Sequence, residues 1–394
     1  MSSRSRKRRA AIIVLDGVGI GPAHDVARYG DTGSDTLGNV ARAANGIDLP
    51  NLAALGLGRC AALPGVEAVE RPQAAFGVCE PASPGKDSTT GHWEICGVIL
   101  DRPFPTYPEG FPDALLAEFT RRTGRGVLGN LAGSGTTVLD RFGPEHVATG
   151  NWIVYTSADS VFQVAAHESV VPVQELYAGC AAARELLAGE HAVSRVIARP
   201  FIGSDGSWQR TPRRKDFSVA PTGETLLDRL AARKIPRVGV GKVDDLFAGR
   251  GIASIHVATN AEAYARIESA LDEMAEGLLF ANVIEFDQSW GHRNDVEGFV
   301  QGLSELDRAL PGMLGRMREG DVVIFTADHG NDPTTPSTDH SREVVPLLVA
   351  GPRVRPVALG RRRSFADIGQ TVAEFLGAGP LEAGVSFLEE VWSD

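Results

Sequence analysis

The stretch DVVIFTADHG, Asp321 to Gly330, runs from a continuous apolar segment straight into an adjacent carboxylate and imidazole. Three other stretches have the same shape: AAIIVLD at 10–16, RVGVGKVDD at 237–245 and FANVIEFD at 280–287. Unbroken apolar runs of this length predict strands buried on both faces, and the segments between them, such as GETLLDRLAARK and AEAYARIESALDEMAEG, have the pattern of covering helices. The predicted class is α/β, with a mostly parallel sheet between helices. In such sheets ligands gather beyond the carboxyl ends of the strands. Asp16, Lys242, Asp287, Asp328 and His329 stand there and are the first candidates for chemistry.

With 394 residues, 43% of them hydrophobic, the chain can bury a large core and carry a second domain. From about Arg102 to Asp216 its texture changes. The borders RPFPTYPEGFP and GSDGSWQRTPRRKDF are rich in Pro, Gly or charge, while NWIVYTSADSVFQVAAHE and VSRVIARPFIG between them read as strands. This predicts a core domain made of 1–102 and 217–394, with an α/β cap domain inserted at 103–216. The net charge of −11 argues against gripping nucleic acid by overall field, so an anionic substrate needs locally placed cations. The head MSSRSRKRRAAIIVLDG predicts a solvated basic tail and then a buried strand, because the apolar run Ala10 to Leu15 is too short for a signal sequence and ends on Asp16. No run approaches the roughly 18 apolar residues that span a bilayer. Cys60, Cys79, Cys96 and Cys180 form no C-x-x-C pair, which fits reduced thiols in a cytoplasmic protein. A monomer is compatible with the sequence, which does not fix the oligomeric state.

The richest local signal is TADHGNDPTTPSTDH, where Asp328 and His329 sit at a strand end and His340 follows after a polar loop. A second cluster, EFDQSWGHRND, places Asp287 and His292 after another strand, and Asp16 follows the first. Singly, such residues are turn and cap formers. Together, three Asp and three His at four places exceed what one four-coordinate ion needs, and a metal pair suited to phosphoryl transfer fits better. Mixed Asp/His ligation suits manganese, zinc or iron. The glycines of GVGIGP at 17–22 lack the dinucleotide spacing and are expected to form a flexible turn beside Asp16.

In GKDSTTGHWE, Gly85 to Glu94, three hydroxyls precede an amphipathic run. Ser and Thr there commonly cap a helix. A metal pair gives them another use, since a hydroxyl on a dication is activated for attack on phosphorus. Capping and catalysis are compatible, and local chemistry does not rank Ser88, Thr89 and Thr90 against one another.

These residues resemble the alkaline phosphatase superfamily and, within it, the phosphopentomutase family. The likeness rests on Asp16, the Lys-Asp-Ser-x-x-Gly-His-Trp-Glu run, Asp-x-x-x-x-His at 287–292, and Asp328-His329 with His340. It extends through GDTGSDTLGN, PNLAALGLG, YTSADSVFQVAAHE and RVIARPFIG, nearly the whole chain. The resemblance implies an alkaline-phosphatase-like core with a cap, two Mn2+ ions, and transfer of phosphate between C1 and C5 of ribose or deoxyribose. It implies that Asp16, Asp328 and His329 hold one ion and Asp287, His292 and His340 the other. It selects Ser88, directly after Lys86-Asp87, as the residue phosphorylated, leaving Thr89 and Thr90 to cap the helix. The sequence departs from the family in having Ser88 for Thr and Gly17 for Ser.

For the substrate, the resemblance points to Ser157 and Asp159 near sugar hydroxyls and to Arg195, Arg210 and Lys242 near the distal phosphate. Such a phosphate does require guanidinium or ammonium partners. A sugar bisphosphate activator, such as glucose 1,6-bisphosphate, is expected to prime the serine. No nucleic-acid or membrane partner is expected. A cofactor-independent phosphoglycerate mutase or a phosphomonoesterase on the same core is the alternative, and a noncatalytic metal-dependent sugar-phosphate binder is a further one.

Overall fold

In the computed structural model, which describes residues 7–157, 159–204 and 206–393, the chain divides into two compact units. One is Met1–Pro103 with Pro221–Asp394, the other Phe104–Ala220. Both are α/β.

The first unit is built on β1 (Arg9–Leu15), β2 (Ala75–Cys79), β3 (Arg237–Val240), β4 (Ser254–Ile255), β5 (Gly277–Val283), β6 (Asp321–Thr326), β7 (Val345–Ala350) and β8 (Ala358–Arg362). They form one sheet in the order β4-β3-β5-β1-β6-β7-β2-β8, in which β7 alone runs against the rest. β1 lies between β5 and β6, and every residue of these three strands is buried. Helices cover the faces. That at Val296–Leu314 buries Phe299, Leu303, Leu306, Leu310 and Met313, one stripe at helical spacing.

The strands stop at Leu15, Val240, Val283 and Thr326, short of the polar residues that end each apolar run. Side chains inside the ladder alternate toward the helix-covered faces. Only a residue that has left the ladder can turn across the sheet edge, as Asp16, Asp287, Asp328 and His329 do. At the opposite edge, Arg9 is the first residue of β1 rather than part of a solvated tail: it is buried, and its Nε donates to Asp321 Oδ1 at 3.0 Å. Of the rest of the expected tail, Lys7 is exposed and Arg8 half-buried, and residues 1–6 lie outside the described residues.

The second unit carries a six-stranded sheet of mixed direction, including Val127–Ala132, Trp152–Thr156, Val161–His167 and Arg195–Ile202. The helices Asp113–Thr123 and Val173–Leu186 pack Phe119, Leu176 and Cys180 with Trp152, Phe162 and Val164. On the other face, helix Gly135–Thr149 packs Val138 and Leu139 with Ile153, Tyr155 and Phe201. Among the described residues, no helix is long and apolar enough to cross a membrane.

Candidate metal centre

Three strand ends and one hairpin bring the acids and imidazoles of the first unit together. Leaving β1, the chain turns at Gly17 (φ +78°), whose N–H donates to Asp328 Oδ1 at 3.1 Å. Beyond β5 a wide helical turn, Phe286–Trp290, carries Asp287, and the next turn, Gly291–Arg293, carries His292. Beyond β6 the backbones of Gly330 and Ser341 exchange hydrogen bonds of 3.1 and 2.7 Å. That pairing sets His329 and His340 side by side, ring centres 4.2 Å apart.

Two overlapping groups result, Asp16–Asp328–His329 and Asp287–His329–His340. His329 Nε2 lies 3.3 Å from Asp16 Oδ1 and 3.6 Å from Asp328 Oδ2. Asp287 lies 3.3 Å from His340 Nε2 through Oδ1 and 3.2 Å from His292 Nε2 through Oδ2. His329 Nδ1 faces the Gly330 carbonyl at 3.0 Å and His292 Nδ1 the Thr338 carbonyl at 2.7 Å. Each Nδ1 then directs its N–H at a carbonyl, which aims Nε2 inward, where it offers a lone pair once it has given up its own proton.

The donors fit divalent cations. Asp16, Asp287 and Asp328 are all buried, and burial followed by the charges of Asp328 and Asp287 holds the Asp16 carboxyl above its usual range. Burial alone would also raise Asp287, but His340 and His292 hold it well below. Burial would depress His329, yet Asp328, Asp16 and Asp287 carry it well above the ordinary imidazole value. Asp328 Oδ2 has no dedicated hydrogen bond: the nearby Nδ1 of His92, at 3.1 Å, also faces the Ser88 carbonyl at 2.9 Å. Crowded buried carboxylates with an uncommitted oxygen call for positive charge.

Ser88 opens the helix Ser88–Ile95 and is half-buried, its Oγ 3.3 Å from Asp16 Oδ1 and 3.1 Å from His329 Nε2. The expected hydroxyl cap is not observed. Asp87 caps this helix, accepting from Thr90 N at 3.1 Å and Thr90 Oγ1 at 2.6 Å, because its carboxylate satisfies both donors at once. Thr89 and Thr90 are buried. In the glycine turn beside Asp16, Gly17 and Gly19 are buried and a Cβ at Gly19 would collide with the Glu343 carboxylate, while Gly21 is half-buried.

Of the expected substrate residues, Lys242 follows β3 in the first unit, its Nζ bonded to Gln288 Oε1. The other four belong to the second unit. Ser157 and Asp159 lie in the turn before the strand Val161–His167, and Val161 pairs with Arg195. Arg195 Nη1 stands 3.7 Å from Asp216 Oδ2. Arg210 is exposed and pairs with Phe201, six residues further along the same strand, while its guanidinium packs against Gly135. The structure therefore does not join Arg195 and Arg210 through their backbones.

Several residues of these sites escaped the sequence reading. Asn282 Nδ2 donates to Asp16 Oδ2 at 3.1 Å, and Asn331 Nδ2 to Asp287 Oδ1 at 2.7 Å. His92 and Asn331 sat inside the quoted motifs, whereas Asn282 was hidden within an apolar strand. Away from this centre, Arg199 lies on the same strand as Arg195, its Nε donating to Gln163 Oε1 at 3.1 Å and its guanidinium lowered to about 10 by burial and then Arg214.

The sequence profile of the metalloenzyme superfamily matches residues 8–380. A phosphopentomutase of Dictyoglomus turgidum is 52% identical over 386 residues, covering 98% of both chains. Phosphopentomutases of Acetivibrio thermocellus and Herpetosiphon aurantiacus are 51% and 52% identical, over 98% of this chain and 100% and 99% of theirs. Among solved structures, a Pyrococcus horikoshii protein aligns with a TM-score of 0.51 at 17% identity, over 96% of this chain and 100% of that one, a likeness of fold.

Proposed function

The chain belongs to the phosphopentomutase family of the metalloenzyme superfamily, and we propose that it moves phosphate between C1 and C5 of ribose or deoxyribose through a phosphorylated Ser88. The observation that carries this reading is the position of Ser88 Oγ, within 3.3 Å of both Asp16 and His329, where the two Asp/His groups overlap.

In the proposed cycle the Ser88 Oγ–P bond breaks as a sugar hydroxyl oxygen bonds to phosphorus, and that hydroxyl's proton passes to Ser88 Oγ. The product is a 1,5-bisphosphate. After it reorients, Ser88 Oγ attacks the other phosphate, and the proton returns to the sugar oxygen released. A hexose 1,6-bisphosphate would prime the first serine. Asp16, Asp328 and His329 would hold one divalent ion and Asp287, His292 and His340 a second, both Mn2+ in our reading. When bound, such ions neutralise charge on the transferring group and activate the oxygens on either side of it.

The protein's own residues hold the geometry. Asp87 fixes the first turn of the helix under Ser88, and the positive end of that helix favours a phosphorylated serine. His92 ties the Ser88 carbonyl to Asp328. We read Phe104–Ala220 as the cap, with Ser157 and Asp159 directed to sugar hydroxyls and Arg195, Arg210 and, from the core, Lys242 to the distal phosphate. A mutase must keep water from the phosphoserine, which is the cap's part in specificity. The unpaired cysteines support a cytoplasmic setting.

The test compares ribose 1-phosphate with 2-phosphoglycerate, each with Mn2+. The pentose phosphate is expected to be isomerised without release of inorganic phosphate. A clear preference for the glycerate would sink the assignment.

A further inference from the structure

Glu343 lies just before β7, 1% exposed, and none of the roles above uses it. Its carboxylate accepts four hydrogen bonds. Oε1 receives Thr36 Oγ1 at 2.8 Å and Ser341 Oγ at 2.7 Å; Oε2 receives Thr36 N at 2.9 Å and Gly21 N at 3.3 Å. Gly19 and Gly330 flank it so closely that a Cβ on either would collide with it.

Gly19, Gly21, Gly330 and Ser341 belong to segments that carry proposed ligands, and Thr36, which opens a helix of its own, reaches one through Asn331. Gly19 and Gly21 are in the turn that follows Asp16. Gly330 and Ser341 form the backbone pairing that sets His329 beside His340. Thr36 Oγ1 also accepts from Asn331 N at 3.2 Å, and Asn331 Nδ2 holds Asp287 Oδ1 at 2.7 Å. One buried carboxylate thus ties together the backbones on which both Asp/His groups are mounted.

We infer that Glu343 is a positioning residue of the metal centre, fixing the spacing between its two groups through Gly21, Ser341 and the Thr36–Asn331 relay. Partners at this remove orient the ligands, and their loss typically costs ten- to a hundredfold in metal affinity. The role rests on the metal reading given above. A purely structural role predicts instead that any metal deficit follows lost stability.

The test titrates metal-free protein with Mn2+ by calorimetry, alongside circular dichroism and urea unfolding, in the parent, Glu343→Gln, Thr36→Val and a control, Asp307→Asn. Asp307 is a buried carboxylate that accepts from Asn51 and Leu52, away from the ligand segments. Expected is a loss of about ten- to a hundredfold in Mn2+ affinity in Glu343→Gln and Thr36→Val, with Asp307→Asn binding as the parent does despite its lower stability. Parent-like Mn2+ binding in Thr36→Val and in any folded Glu343→Gln would overturn the role, as would an equal loss in Asp307→Asn. Should Glu343→Gln not fold, Thr36→Val decides. A parent that binds no Mn2+ removes the metal reading itself, and the role with it, an outcome distinct from parent-like binding by the variants.

Discussion

Ser88 Oγ stands 3.1 Å from His329 Nε2, the one imidazole common to both Asp/His groups. Thr90, two residues on, spends its hydroxyl on Asp87 instead. Ser88→Ala is therefore expected to lower turnover by about three orders of magnitude or more, as removal of a nucleophile does. Thr90→Ala should cost about 1 kcal/mol of stability, one hydrogen bond's worth, and leave the phosphoenzyme intact. Peptide mapping of the phosphorylated protein checks this, and phosphate found on Thr89 or Thr90 would reverse the assignment.

Mn2+ affinity should climb with pH. The neighbouring carboxylates hold His329 well above the ordinary imidazole value and so favour its protonated form in the metal-free protein. An entering ion must displace that proton, and the gain continues until the pH passes the raised value. One displaced proton corresponds to about tenfold in affinity per pH unit. Calorimetry in buffers of different ionisation heat measures the release. Affinity that stays flat from about pH 5.5 to 7.5 would contradict it.

Glu343 should give the metal-free protein a stability slope that Glu343→Gln lacks. Burial, opposed by the Thr36 and Ser341 donors, lifts its carboxyl from 4.5 to about 7. A raised folded value means that its contribution is complete below about pH 4.5 and is lost as pH rises toward 7. Relative to Glu343→Gln, the parent should lose roughly 3 kcal/mol across that window. Urea unfolding at several pH values tests it, and a constant difference between the two proteins would refute it.

Gly19→Ala should destabilise by about 1–3 kcal/mol, the usual cost of overpacking. The new methyl meets the Glu343 carboxylate, while the backbone of Gly19 itself needs no left-handed conformation. The urea midpoint reads the effect. An unchanged midpoint would mean that the turn gives way freely.

The α/β class was legible because β1, β5 and β6 are buried on both faces and so are written as unbroken apolar runs. The acids and imidazoles that follow them were legible for the same reason: a polar residue ending such a run stands out. Asn331, Thr36 and Glu343 were not. They act by hydrogen bonds between segments distant in sequence, and singly they look like any loop or cap residue. Asp87 was overlooked as the cap because three hydroxyls follow it, though a carboxylate can accept from two donors at once.

The position of β1 bears on how the molecule is made. β1 is made before both of its partners and can join neither until Gly277–Val283 and then Asp321–Thr326 have been synthesised. Through most of translation an apolar ribbon therefore waits without its lasting partners, while Phe104–Ala220 already has every strand of its own sheet. Such distant pairing is slow and open to aggregation. The nascent chain should lean on chaperones early, and the ion-binding pocket should be among the last features to appear.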